Sequence, residues 1–265
     1  MAATATEEHQ PVATGIRIRE ISTSNVWQWL SAGWSDIQKA PVASLLYGAN
    51  LAVLSIAITF SVLISRSYYL LPLLLAGFLL VAPFFGIGPY SLSQRLERGE
   101  KRPGLRDAIS AWTGNSVQLL NMGIVLVVCL LVWAMVANLV FVLFQPGPTP
   151  ANWMGFVTML LGTWGGVQLL VVGTYAGGII ALVVFAISAV SIPMLIDRQV
   201  GVFEAINTSW LAVRMNIAPM LLWAAILVAI ILSGFLTLYL GLIIGFPLAA
   251  HATWHAYRDL VVYCD

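Results

Sequence analysis

Charge is what this sequence has least of. Only 9% of its 265 residues are Asp, Glu, Lys or Arg, against about a quarter in an ordinary soluble domain. Twelve basic residues nearly cancel eleven acidic ones, leaving a net charge of +1. So few charges cannot clothe a water-facing surface around a chain that is 60% hydrophobic, with a mean hydropathy of +0.92, and a soluble globule is excluded. The near-zero balance also leaves no basic footprint for nucleic acid. Cysteine is scarce too: Cys129 lies in an apolar run and Cys264 near the last residue, too few and too separated for a disulfide framework. No P-loop, G-x-S-x-G or G-x-G-x-x-G pattern occurs. The first 25 residues have no apolar h-region behind a basic one, so they do not read as a secretory signal.

What the chain does have is long apolar runs. A hydrocarbon core about 30 Å thick takes about 20 apolar residues per helical crossing. Crossings are expected over 42–65, 68–92, 118–144, 167–195, 217–236 and 238–257. The third closes at Gln145-Pro-Gly-Pro-Thr-Pro150, whose prolines cannot continue a helix. Trp153 to Thr163 reads as an interfacial or re-entrant segment. Residues 217–256 are too long for one crossing and call for a tight turn near Ser233 to Gly241. Polar, aperiodic residues 1–24 read as a disordered cytoplasmic tail, 25–261 as the membrane domain and 262–265 as a C-terminal tail.

Charge placement sets the count and the orientation. With six crossings, Arg17, Arg19, Lys39, Arg95, Arg98, Lys101, Arg102, Arg106, Arg198, Arg214 and Arg258 share one side, leaving Arg66 alone on the other. Excess Lys and Arg mark the cytoplasmic side, so both termini are expected there. A seventh crossing would carry Arg198 and Arg214 outside.

A weak repeat of 80 to 100 residues is also visible. Before each odd crossing lies a short amphipathic segment: Trp27, Leu30, Trp34 and Ile37 are spaced 3, 4, 3, Phe203, Ile206, Trp210 and Val213 repeat that spacing, and Leu105, Ile109 and Trp112 give a looser version. Such stripes suit helices lying in the membrane interface, where Trp is favoured. Each even crossing carries a proline in its later half (Pro83, Pro193, Pro247), a kink site. The expected fold is therefore all-α: a polytopic bundle of six transmembrane helices in three hairpins, each preceded by an interfacial helix, with Trp34, Trp112, Trp210, Asp197 and Arg198 as interface anchors.

Ser191-Ile-Pro-Met-Leu-Ile-Asp-Arg198, Ala205-Ile-Asn-Thr-Ser209, the stretch from Pro247 to Arg258, Gly33-Trp34 with Pro41, and Arg95-Leu-Glu-Arg-Gly99 resemble the bacterial integral membrane family called domain of unknown function 2189. The resemblance runs from about Trp27 to Val261 and implies a multi-pass protein of the bacterial inner membrane. It brings no activity with it, although some relatives carry the label cytochrome c oxidase subunit I.

That label implies several axial and copper-binding histidines at membrane depth, and the chain holds three histidines, one of them His9 in the tail. His251 and His255, four apart on one helix face, are the low-ranking metal candidates. No Glu follows His251 as the zinc-protease pattern requires, and no acid or thiol beside them completes a tetrahedral set, so no catalytic residue and no cofactor is expected. No acid falls within an expected crossing, which disfavours ion-coupled transport. Asn50, Gln118, Asn121, Asn138, Gln168 and Tyr175 are candidates for interhelical hydrogen bonds or a polar pathway. Gly162, Gly166, Gly173 and Gly177, spaced 4, 7, 4, make one stripe if their helix is continuous, for internal packing or association with a partner or second copy. The expected partners are the lipid bilayer and a membrane protein or the chain itself. Three functions follow in order: a non-enzymatic accessory, assembly or scaffold component, a channel or permease for a small neutral or lipophilic solute, and a metal- or haem-linked protein.

Overall fold

The computed structural model describes residues 15–264 apart from Tyr69, Pro146, Thr149 and Ala151. Most of the expected N-terminal tail, His9 included, lies outside these residues. Among them the helices are α1 (Thr23–Lys39), α2 (Pro41–Ile64), α3 (Leu70–Phe85), α4 (Ile87–Glu97), α5 (Leu105–Gly114), α6 (Ser116–Phe144), α7 (Trp153–Gly162), α8 (Trp164–Ser188), α9 (Ser191–Asp197), α10 (Val202–Met215), α11 (Ile217–Leu236) and α12 (Leu242–Leu260). The chain is all-α apart from a two-stranded antiparallel pair, β1 (Ile16–Ile18) and β2 (Val261–Tyr263).

Among the described residues five stretches are long and apolar enough to cross a membrane: Pro41–Ile64, Leu70–Glu97, Ser116–Phe144, Trp164–Asp197 and Ile217–Leu236. The expected sixth, α12, is not among them. It reaches 19 residues, but its second half brings in His251, His255, Arg258 and Asp259, and most of that half is buried inside the protein rather than turned outward.

The sequence repeat has a structural counterpart. In each unit a short amphipathic helix runs directly into a long apolar one through a single residue of nearly the same conformation: Ala40 at φ −127°, ψ 55°, Asn115 at −131°, 51° and Asn216 at −125°, 47°. The causes differ. Pro41 follows Ala40 and disfavours the helical conformation there. Asn115 and Asn216 instead put their side chains onto the segments that precede the next short helix. Asn115 Nδ2 reaches the carbonyls of Leu195, Arg198 and Val200, each at 3.3 Å. Asn216 accepts from the Ile21 N–H at 2.8 Å and donates to Arg19 O and Ala212 O at 3.1 Å. Unit two thus holds the entrance to unit three, and unit three holds the entrance to unit one.

The returning limbs are α3 with α4, α8 with α9, and α12. The first breaks at Gly86, three residues after Pro83, and the second at Ala189–Val190, where Pro193 cannot donate to the carbonyl four residues back. The third runs through Pro247 as one continuous helix. The inner ends α4, α9 and the later half of α12 are almost wholly buried and pack together, with α1 laid across them. Gly33 sits so close to Ala252, and Gly48 to the Ile243 carbonyl, that a Cβ at either would collide with backbone.

Three expectations change. Residues 16–18 are not part of a disordered tail: they pair with 261–263, and Val262 and Tyr263 are strand rather than loose C-terminus. The glycine stripe is cut, because Thr163 is extended (φ −121°, ψ 150°) between α7 and α8. Gly166 then closes the α7–α8 corner against Met159 and Leu160. Gly173 and Gly177 face Val140 and Trp133 of α6, while Gly162 stands apart from them. The tryptophans of the amphipathic segments stand outward, as interface anchors would, although Ile37 of the first stripe is buried. Trp27, Trp34, Ile109, Trp112, Phe203 and Trp210 are exposed, while the other faces (Trp29, Gly33 and Asp36; Ala108; Ala205, Ser209 and Ala212) are buried.

The asparagine junctions give a direct test. Asn216→Ala removes three short bonds and is expected to cost about 2 kcal/mol; Asn115→Ala, which gives up longer ones, costs less. Thermal unfolding in detergent measures both, and equal or negligible losses would refute these two holds.

Candidate functional site

Two features lie on different faces of α12, and between them they use nearly all the chemistry the chain possesses. The first is a polar relay. His251 is completely buried. Its Nε2 lies 2.9 Å from Ser44 Oγ of α2 and its Nδ1 2.7 Å from Ser93 Oγ of α4. Ser93 donates to Asp36 Oδ2 of α1 at 2.7 Å, and a carboxylate only accepts. His251 therefore donates from Nδ1 to Ser93, and in its neutral form it accepts the Ser44 proton at Nε2. His255, one turn on and partly exposed, donates from Nε2 to the same Asp36 oxygen at 2.8 Å. Four helices are tied by this one chain of bonds. Burial pushes the Asp36 carboxyl up, but hydrogen bonds from His255 and Ser93 and the nearby imidazoles outweigh it, and the group lies below its usual range.

The relay continues into an ion-pair network where the three returning limbs end. Asp197, at the end of α9, accepts from Gln94 Nε2 at 3.0 Å and Tyr257 Oη at 2.8 Å, with Arg258, Arg198 and Arg98 at 3.5 to 3.9 Å. Glu97 accepts from Trp254 Nε1 at 3.1 Å and from Arg258 Nη2 at 2.8 Å. Tyr257 and Tyr263 hydroxyls are 2.8 Å apart, and Arg198 lies over the Tyr263 ring at 4.1 Å. Asp259 gathers Arg19, Asn25 and Trp29. Asp197 and Arg198, expected as interface anchors, lie 3.6 Å apart, and Asp197 is turned inward as a hub, its side chain only 12% exposed.

The second feature is an apolar slot of about 430 Å³ between α3–α4, α8, α11 and α12. Small residues open it: Ala82, Gly86, Ala181, Ala224 and Ala250. No Asp, Glu, His, Lys or Arg lines it. On α12 the slot takes Phe246, Ala249, Ala250 and Thr253, whereas the relay takes His251 and His255, on the opposite side of the helix.

Of the residues singled out from sequence, His251 and His255 do come together, but through Asp36 and Ser93 rather than around a common point, and no cluster of three metal-ligating side chains occurs among the described residues. Asn50 bonds its own helix, Gln118 accepts from the Val202 N–H, and Tyr175 faces outward. None of the six polar candidates lines the slot. Ser44, Ser93, Asp36 and Tyr90 were missed. A serine on an apolar helix carries no periodic signal, and Asp36 reads as the polar face of a surface helix until α12 is seen behind it.

Residues 70–197 match the family model described as Predicted integral membrane protein (DUF2189), so the resemblance stands over that stretch, which runs from the first returning limb to the Asp197 hub. No curated protein and no solved structure matches the chain.

The relay yields a pH prediction. Because the folded-state value of Asp36 is depressed below the ordinary 3.8, its contribution is present above that pH and is lost as pH falls through the folded value. Unfolding of the detergent-solubilised protein between about pH 6 and pH 2.5 is expected to show a shallower acid limb for Asp36→Asn than for the native chain. Parallel limbs would refute the assignment.

Proposed function

We propose that this is a non-enzymatic, multi-pass membrane protein whose working part is the slot, where it holds a small neutral or lipophilic molecule as an accessory component of the membrane. The slot itself carries the reading: an uncharged cavity of about 430 Å³ inside a bundle otherwise packed through large buried side chains such as Trp223, Trp254 and Tyr257. A void kept open by alanines and glycines costs stability, and an apolar guest offsets that cost.

The polar residues point the same way by being committed elsewhere. Each imidazole, carboxylate and guanidinium of the relay and hub bonds to another protein group. None of them faces the slot, so acid–base chemistry on a guest has no participant there. In this reading α12 is the sixth crossing, and the chain spans the inner membrane of a bacterium as three hairpins. The relay, the hub and both termini lie on the cytoplasmic side, supported by the eleven basic residues gathered at that end.

Native mass spectrometry of the protein purified in mild detergent is the test. The native chain is expected to retain an apolar guest. Ala181→Phe and Ala224→Phe, which fill the slot, are expected to lose it while keeping native helicity and a similar thermal midpoint. A guest retained equally by the filled variants, or an apolar fluorophore that binds neither form, would overturn the reading.

A further inference from the structure

The slot has a direction. Its three hydroxyl-bearing residues, Tyr90, Ser188 and Thr253, lie toward the hub, and Leu79, Ile231 and Phe246 lie away from it. From Tyr90 to Leu79 is eleven residues and from Leu221 to Ile231 ten, so at 1.5 Å per helical residue the slot is about 15 Å long, roughly parallel to the bundle. Leu182 of α8 and Leu221 and Val228 of α11 line it and are also exposed. Those two helices do not pack closely on one another, so the mouth opens sideways between them, toward where lipid would lie.

Tyr90 supplies an observation independent of the cavity's shape. It is 97% buried, being only 3% exposed. Its ring lies against Gly86, another residue lining the slot, so closely that a Cβ there would strike the ring and the hydroxyl. No hydrogen bond to its hydroxyl occurs among the described residues, yet the oxygen is not sealed inside protein: the one fully enclosed side-chain polar atom without a partner among them is Trp223 Nε1. Ser188 and Thr253 differ from Tyr90, since both hydroxyls donate to carbonyls of their own helices.

We propose that the slot takes the ester-linked acyl chain of a membrane glycerolipid, entering between α8 and α11, with its ester carbonyl accepting from Tyr90 Oη and its alkyl chain running toward Leu79 and Ile231. This rests on the reading of the slot as a binding place and adds the class of guest. The level is right for an ester. Tyr90 is seven residues, about 10 Å, inside Glu97, where charged side chains gather and headgroups belong. The slot's lack of any cation excludes a free carboxylate, which would be buried without a partner, whereas an ester carbonyl needs one donor and finds one. The open side leaves the headgroup and second chain in the bilayer.

The experiment compares three probes on the detergent-solubilised full chain by native mass spectrometry: dioleoyl phosphatidylglycerol, its ether-linked analogue, which keeps both chains and the headgroup but has no carbonyl, and oleic acid. The ester lipid is expected to bind about tenfold more tightly than the ether lipid, the worth of one net hydrogen bond. Tyr90→Phe is expected to bind both equally, and oleic acid to compete poorly. Equal binding of ester and ether lipid by the native chain, discrimination that survives in Tyr90→Phe, or displacement of the ester lipid by oleic acid would overturn the proposal. If an apolar guest is nonetheless found in the native chain and lost from the filled variants, only the acyl-ester assignment fails. If no guest or probe occupies the slot at all, the reading of the slot as a binding place fails with it.

Discussion

A carboxylate taken out of water must be paired, and the whole inner end of this protein is arranged around that requirement at Asp197. Removing one partner from such a group is expensive because the remaining charge is left stranded. The acid stands at the end of one returning limb, Gln94 comes from another and Tyr257 with Arg258 from the third. None of the three limbs can shift along its axis without breaking a bond to it. The relay through His251 and Asp36 does the same for α1, α2, α4 and α12. Apolar packing between membrane helices has no strong register of its own, since lipid is as apolar as leucine. Here hydrogen bonds and ion pairs set the register, and the alanine-lined space beneath them is kept from collapsing.

Much of this was legible before any coordinates, for definite reasons. Long uncharged runs read as membrane helices, and five stretches of that length and apolarity stand among the described residues. The short amphipathic segments were visible because Trp27, Trp34 and Trp210 recur at helical spacing. Which face of them points inward was not visible, because in α1 Trp27 and Trp34 stand exposed beside Gln28, Ser31 and Lys39 while Trp29 and Asp36 are buried. The break at Thr163 escaped because the residues around it are apolar on both sides, so no periodicity marks where one helix ends and another starts. The β1–β2 pair escaped because three-residue strands carry no pattern, and their partnership spans nearly the entire chain.

The site was less legible than the fold. His251 and His255 stood out by rarity alone, and rarity invited a metal. Their real environment is set by Ser44, Ser93 and Asp36, which arrive from three other helices and are unremarkable where they stand in the sequence. Tyr90 is a similar case. Beside Gly88 and Pro89 it reads as part of a helix bend, and only the cavity next to it makes an unused hydroxyl noticeable. Composition exposed the class of protein, whereas the functional hypotheses depend on juxtapositions that composition cannot express.

The antiparallel ladder of Ile16–Ile18 with Val261–Tyr263 brings Gly15 beside Cys264, whose N–H donates to the Gly15 carbonyl at 2.8 Å. Three units of like build therefore close into a ring. Where the ribosome starts around that ring is structurally arbitrary: a gene rejoined across this seam and opened instead between α4 and α5 would encode the same circle of helices in a permuted order.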